Sequence, residues 1–432
     1  MTYLILGSCA LLIFVFFRTH DANVKIASLL GSIVLFSGGF YFISQPWIAP
    51  MHIPLYCSLL SFALFYNEDQ RAIMREYPIK KWTLFLFLSF LASGFLGDEG
   101  QVYGCYTATR FFLDSYGFFL VAFVLGSKCE YEDLANLLFW PVIFYCAFGF
   151  LEAAMGYNYI YSWMIDSFPL YEGYLGKTSS VMNYFDTWRI RTSITTMHPT
   201  TLGALLTVFF IFYLPMVKRK ESKFVCLFGI LCVMIFLSGS RTAWVCSALY
   251  GLYYFIKDRK LMVKMCFYAM CVGAAFYVGN EILSSFTAED RGSSIDMRQR
   301  NLLVCYLAFV DKPLTGHGFN YIGTLIERND SGYAVDGAME SVVYNTMVEQ
   351  GILGMATYLL FVFANLFAFR KLRKRDEDVA DIGAGITVMI TLFSLMSGTL
   401  GNLHSMAYIM QGTCLGILCY KKDPEEDEES PS

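Results

Sequence analysis

The chain has 432 residues, of which 56% are hydrophobic and 17% aromatic but only 16% charged, and its formal net charge is -4. An ordinary soluble domain carries roughly 25% charged residues, so this balance excludes a soluble enzyme. Apolar runs recur from end to end, and residues 1–432 read as one transmembrane domain rather than a soluble domain with an anchor.

The first run, 2–17, lacks a basic start and a small-residue cleavage site, so it is expected to span rather than to be removed. Further runs follow near 26–44, 51–66, 82–97, 111–127, 137–155, 200–217, 224–238, 243–256, 261–279, 343–369, 382–400 and 405–420. The expectation is an all-α polytopic protein with about 12–14 transmembrane helices, at about 20 residues per crossing. Basic clusters fall in alternate breaks: Arg71, Arg75, Lys80 and Lys81; Lys218, Arg219, Lys220 and Lys223; Lys257, Arg259, Lys260 and Lys264; and Arg370 to Arg375. The positive-inside rule makes those breaks cytoplasmic. Within the last of them Asp376-Glu377-Asp378 reads as charge balance, and 421–432 as an acidic, solvated cytoplasmic tail. Most of the thirteen cysteines lie inside apolar runs and no C-x-x-C occurs. They read as small hydrophobes, and neither metal nor cofactor is expected.

Two breaks on the other side are long, 156–199 and 280–342, and loops of that length are usually functional. The first holds Tyr157, Tyr159, Tyr161, Trp163, Tyr171, Tyr174, Tyr184 and Trp188, which suit an interfacial belt or sugar stacking equally. The outer side also holds Arg110, Arg189, Arg191, Arg241, Arg291, Arg298, Arg300 and Arg328, against only Lys177 and Lys312. A guanidinium fork matches phosphate oxygens in a bidentate way that an ammonium cannot, so this bias points to an anionic substrate.

Four segments there carry candidate chemistry. Residues 191–203 run Arg-Thr-Ser-Ile-Thr-Thr-Met-His-Pro-Thr-Thr-Leu-Gly, a helix start with Arg191 and His198 flanking a phosphate seat; alternatively His198 only caps the helix. Residues 238–244 place Arg241 between two apolar runs, where an ionisable residue serves function or an internal salt bridge. Residues 296–302 carry Arg298 and Arg300 ahead of an apolar stretch too short to span, expected as an interfacial or re-entrant helix, and Gly316 and Gly318 flank His317. Glu340, Tyr344, Asn345 and Glu349 follow, and the two glutamates are the nearest carboxylates for general-base work. A transporter is the non-enzyme alternative, but no internal repeat is visible and mid-span charges such as Glu152 are few.

The order R-T-S-I-T-T-M-H-P-T-T-L-G, S-G-S-R-T-A-W, M-R-Q-R with P-L-T-G-H-G, and Y-N-T-M-V-E-Q-G-I-L-G resembles the O-antigen ligase and O-antigen polymerase superfamily of polytopic, GT-C-like membrane glycosyltransferases. The resemblance implies transfer of an oligosaccharide from an undecaprenyl-pyrophosphate donor, without metal, at the outer face of the bacterial cytoplasmic (inner) membrane. It implies that Arg241 and Arg298 hold the pyrophosphate with Arg191 close by; His198, Arg300, Asn345 and Glu349 are expected to contact substrate as well. Where ligases of the family carry His followed by Asn, this chain has Tyr344-Asn345, and a tyrosine with an unperturbed pKa near 10 is a poor base. That favours a polymerase making O-antigen, capsular or exopolysaccharide over a ligase or protein O-oligosaccharyltransferase, with Glu340, Glu349 or His317 as the base. A lipid-linked acceptor, membrane lipid, a chain-length regulator and a flippase are the expected partners; nucleic acid is not.

Overall fold

Hydrocarbon offers backbone N–H and C=O groups no partner, so an apolar chain closes its hydrogen bonds along helices. The computed structural model describes residues 2–36, 43–44, 47–48, 52–64, 68–98, 100–160, 162, 192–196, 198–260, 294–319, 321–322, 341–396 and 402–421. Its helices are α1 (Thr2–Arg18), α2 (Ala22–Leu35), α3 (His52–Leu64), α4 (Glu68–Arg75), α5 (Lys80–Leu96), α6 (Gln101–Phe112), α7 (Phe118–Gly126), α8 (Tyr131–Met155), α9 (Pro199–Lys218), α10 (Ser222–Leu237), α11 (Arg241–Ile256), α12 (Ser294–Asp311), α13 (Val342–Leu372), α14 (Glu377–Met396) and α15 (Asn402–Tyr420). Two-residue strands at Ile43–Ser44 and Trp47–Ile48 pair antiparallel between α2 and α3. The protein is an all-α polytopic membrane protein.

Among the described residues five stretches are long and apolar enough to cross a membrane: Gln101–Gly126, Tyr131–Met155, Pro199–Lys218, Val342–Leu372 and Glu377–Leu395. A sixth is α4 with α5, if that pair, bent by 92°, counts as one span. The runs near 26–44, 51–66, 224–238 and 243–256 form helices of 14, 13, 16 and 16 residues, below the usual spanning length, and 261–279 lies outside the described residues. The run expected at 111–127 begins instead at Gln101, because a π-helical turn at Leu113–Gly117 joins α6 to α7 without a break.

Helix α9 is buried along its length and packs against α10, α11, α14 and α15. Its neighbour α11 runs parallel to it, since Gly203 lies against Ser240, Thr207 Oγ1 is 3.0 Å from Ser247 Oγ, and Lys218 pairs with Asp258 at 2.5 Å. At that second end the charges are paired off. Arg219 bridges Glu132 and Asp378, buried Lys257 meets Asp381 and, at 3.3 Å, Glu377, and Lys421 meets Asp376 at 2.7 Å. Each carboxylate of the 376–378 triplet thus faces a cation, as the charge-balance reading expects. The opposite end gathers the N-termini of α9, α11 and α13, and with them the positive ends of three helix dipoles.

Candidate functional site

The first two motifs form one surface at that opposite end. Glu152, buried near the end of α8, accepts from Ser193 N (3.0 Å) and Ile194 N (2.7 Å), while Asn158 Nδ2 donates to Ser193 Oγ and Ile194 O at 2.9 and 2.8 Å. These bonds hold Ile194 at φ +52°, a conformation that a β-branched residue rarely adopts, so the carboxylate shapes the turn. Thr192 N then donates to Leu237 O at 3.1 Å, linking the turn to the C-terminus of α10. Further on, His198 caps α9, its Nδ1 accepting from Thr200 N at 3.1 Å.

A Cβ at position 203 would meet Ser238 Oγ at 2.7 Å and Ala243 Cβ at 2.9 Å, so Gly203 is what lets α9 lie against the Ser238–Ala243 turn. Within that turn Gly239 takes φ +64° and Ser240 Oγ accepts from Ala243 N at 3.3 Å, capping α11. Trp244 donates Nε1–H to Ile235 O at 2.8 Å and stacks on Phe236. Arg241, the first helical residue, is exposed, and among the described residues it has no carboxylate partner. A cation at a helix N-terminus is unfavourable by itself, and becomes favourable when an anion sits against both.

The third and fourth motifs meet at a break in α13. Gly351 takes φ +63° and ψ −161°, a region open to glycine alone, and interrupts the helical bonding. The segment 313–318 takes over: His317 N donates to Val348 O (3.0 Å) and Gly318 N to Glu349 O (2.9 Å), while Ile352 N and Leu353 N donate to Pro313 O and Leu314 O at 2.8 and 3.1 Å. Gly316 (φ +69°) and Gly318 (φ +98°) turn the chain on either side of His317. Helix α12 lies against the same region through Val304, Cys305 and Ala308, which pack on Tyr344, Val348 and Tyr321.

His317 is buried, with Nδ1 2.7 Å from Asp98 Oδ2 and Nε2 2.9 Å from Ala308 O. Asp98 N also donates to His317 O at 2.7 Å, and Lys312 Nζ bonds Asp98 Oδ1. Burial alone would raise the Asp98 pKa, but its hydrogen bonds with Lys312 and His317, and their charges, outweigh that and hold it below the ordinary carboxylate value. Both His317 ring nitrogens are engaged, so the ring ties Asp98 to the C-terminal turn of α12.

The remaining expected residues divide by location. Arg298 and Arg300 lie in the first two turns of α12, with their side chains outside the described residues; Arg191 and Glu340 lie outside them altogether. Tyr344 packs on α12, Asn345 donates its N–H to Ser341 O at 3.0 Å with its Oδ1 buried, and Glu349 is half-buried just before the break. The structure therefore places His198 and Arg241 at the starts of two helices that pack together, and ties the C-terminal half of α12 to His317 and Tyr344, with Arg298 and Arg300 in the N-terminal turns of that helix. Sequence reading missed Asp98 and the role of Glu152. A single carboxylate in an apolar run was the available signal for Glu152; Asp98 sits in a short polar break with nothing to mark it.

Residues 226–359 match the family model described as O-antigen ligase. That segment, under a third of the chain, includes Arg241, Arg298, Arg300, His317, Glu340, Tyr344, Asn345 and Glu349, and begins after Arg191 and His198. No curated protein matches the chain.

Proposed function

Taking the chain as a member of the O-antigen ligase and polymerase superfamily through its domain at residues 226–359, we propose that it is a polymerase of undecaprenyl-pyrophosphate-linked oligosaccharide repeat units. It works without metal at the outer face of the bacterial cytoplasmic membrane, with the end that carries Arg241 facing the cell exterior or periplasm. The observation that carries this reading is the setting of Arg241: exposed at the first turn of α11, just after the Ser238–Ser240 turn that lies against Gly203 of α9, and, among the described residues, lacking a carboxylate. An anionic leaving group supplies what that arrangement lacks.

As the C1–O bond of the donor sugar breaks, its electron pair passes to the pyrophosphate oxygen, and fixed guanidinium donors stabilise the growing charge. Arg241 does this from α11 and Arg298 from α12, and Arg191 and Arg300 are assigned to substrate binding. The acceptor hydroxyl forms the new C1–O bond and gives up its proton. The proton goes to Glu340, to Glu349, to His317, whose ring lies between Asp98 and Ala308, or to the departing pyrophosphate. Tyr344-Asn345, in place of the ligases' His-Asn, supports polymerase over ligase.

The test is reconstitution with a lipid-linked repeat unit and neither ATP nor a gradient. A ladder of longer lipid-linked chains is expected. Unextended donor beside folded protein overturns the reading, and transfer only to an unrelated added acceptor assigns a ligase instead.

A further inference from the structure

Three parts of the molecule converge on Asp98. It lies in the turn between α5 and α6, its backbone N–H and carboxylate both reach His317, and its second oxygen takes Lys312. The His317 ring, 2% exposed and stacked on Tyr321 with centroids 4.0 Å apart, passes the contact on to Ala308 O. Ala308 is in the last turn of α12, where carbonyls have no partner within the helix. Ten residues earlier on the same helix is Arg298, about 15 Å along the axis at 1.5 Å per residue.

Among the described residues, an apolar cluster joins α12 to α13: Val304, Cys305 and Ala308 with Val348 and Tyr344. The backbone bonds of 313–318 hold the C-terminal end of α12 at the break, but the apolar surface is non-directional and leaves the rotational register of the rest of the helix open. Hydrogen bonds to a charged group are directional and short, so they fix a register that the apolar contact leaves open. We propose that Asp98 is a positioning residue for the arginine helix: acting through the His317 ring, it sets the register of α12 against the break in α13, and so the place at which Arg298 meets a pyrophosphate. This rests on the pyrophosphate reading of the site given above.

The experiment is a double-mutant cycle in the full chain in lipid nanodiscs, with undecaprenyl pyrophosphate as the probe and equilibrium binding as the readout. Asp98→Asn is expected to weaken binding about tenfold, within the range for directly coupled groups. In an Arg298→Ala background the same change is expected to have no further effect, whereas in Arg241→Ala it keeps its full factor. A purely structural role gives equal losses in both backgrounds, and that result overturns the proposal, as does undiminished binding in Asp98→Asn. Should Asp98→Asn fail to insert, His317→Gln, which keeps a donor for Ala308 O but loses the carboxylate, carries the same cycle. Binding unaffected by both Arg298→Ala and Arg241→Ala sinks the pyrophosphate reading itself; loss in those two without loss in Asp98→Asn sinks only the role of Asp98.

Discussion

Gly203 in α9 and Ser240 at the start of α11 approach so closely that a Cβ on the glycine would come within 2.8 Å of the serine Cβ. Two motifs more than thirty residues apart in sequence are one surface because position 203 has no side chain. Gly203→Leu is expected to force the helices apart, lowering stability by about 1–3 kcal/mol as overpacking does, and to abolish chain extension. Melting and turnover equal to wild type would mean that the two helices are not in contact there.

Arg241→Lys keeps the charge and loses the planar fork. Turnover is expected to fall by about 10²-fold, the effect of removing one donor aimed at developing charge, with membrane insertion and melting temperature unchanged. Full activity in this variant removes Arg241 from the site.

Glu152→Gln replaces a carboxylate that accepts two backbone N–H groups by an amide with one oxygen. The 192–196 turn is expected to lose about 1–3 kcal/mol of local stability, the cost of leaving a buried donor unpaired. Hydrogen exchange at Ser193 and Ile194 reads this directly, and unchanged protection there refutes the assigned role.

At the basic end, Lys257 and Asp381 are both buried, with side chains 4% and 8% exposed, whereas Lys218 and Asp258 are about half exposed. Lys257→Met strands a buried carboxylate and is expected to destabilise the protein by roughly 3–5 kcal/mol, partly recovered by adding Asp381→Asn. Lys218→Met is expected to cost no more than about 1 kcal/mol. Thermal unfolding in detergent separates the two pairs, and equal losses contradict the burial difference.

Asp98 faces Lys312 and His317, with Asp311 at 3.8 Å from the same ring. Its pKa is depressed in the folded protein, so its contribution to stability is present above the ordinary carboxylate value of about 3.9 and is lost as the pH falls below it. The melting difference between wild type and Asp98→Asn is expected to stay constant from neutral pH to about pH 4 and to shrink only below that. A difference that vanishes near pH 6 assigns the effect to another group.

The all-α membrane class was legible because hydropathy is summed over many residues, and the ordered motifs were legible because arginine and glycine are conspicuous in an apolar chain. What pairs with what was not. The bonds from His317 to Asp98 and Ala308 join residues that no local pattern connects. The continuity of Gln101–Gly126 was hidden for a different reason: a π-helical turn lets a helix absorb Arg110 and Asp114, an ion pair at 3.4 Å, where charge suggested an end. Glu152 was visible as an oddity, but its partners are backbone amides, which carry no sequence signature.

The break at Gly351 also bears on how the protein is made. A buried peptide group left unpaired costs about 1–3 kcal/mol, so a helix interrupted beside the buried Val348 and Gln350 cannot wait long for partners. Those partners, at 313–318, lie earlier in the chain, and synthesis from the N-terminus delivers them before the broken helix emerges. The receptor for the fracture is thus in place before the fracture is born, and a circular permutant opened between the two segments would meet the membrane in the wrong order.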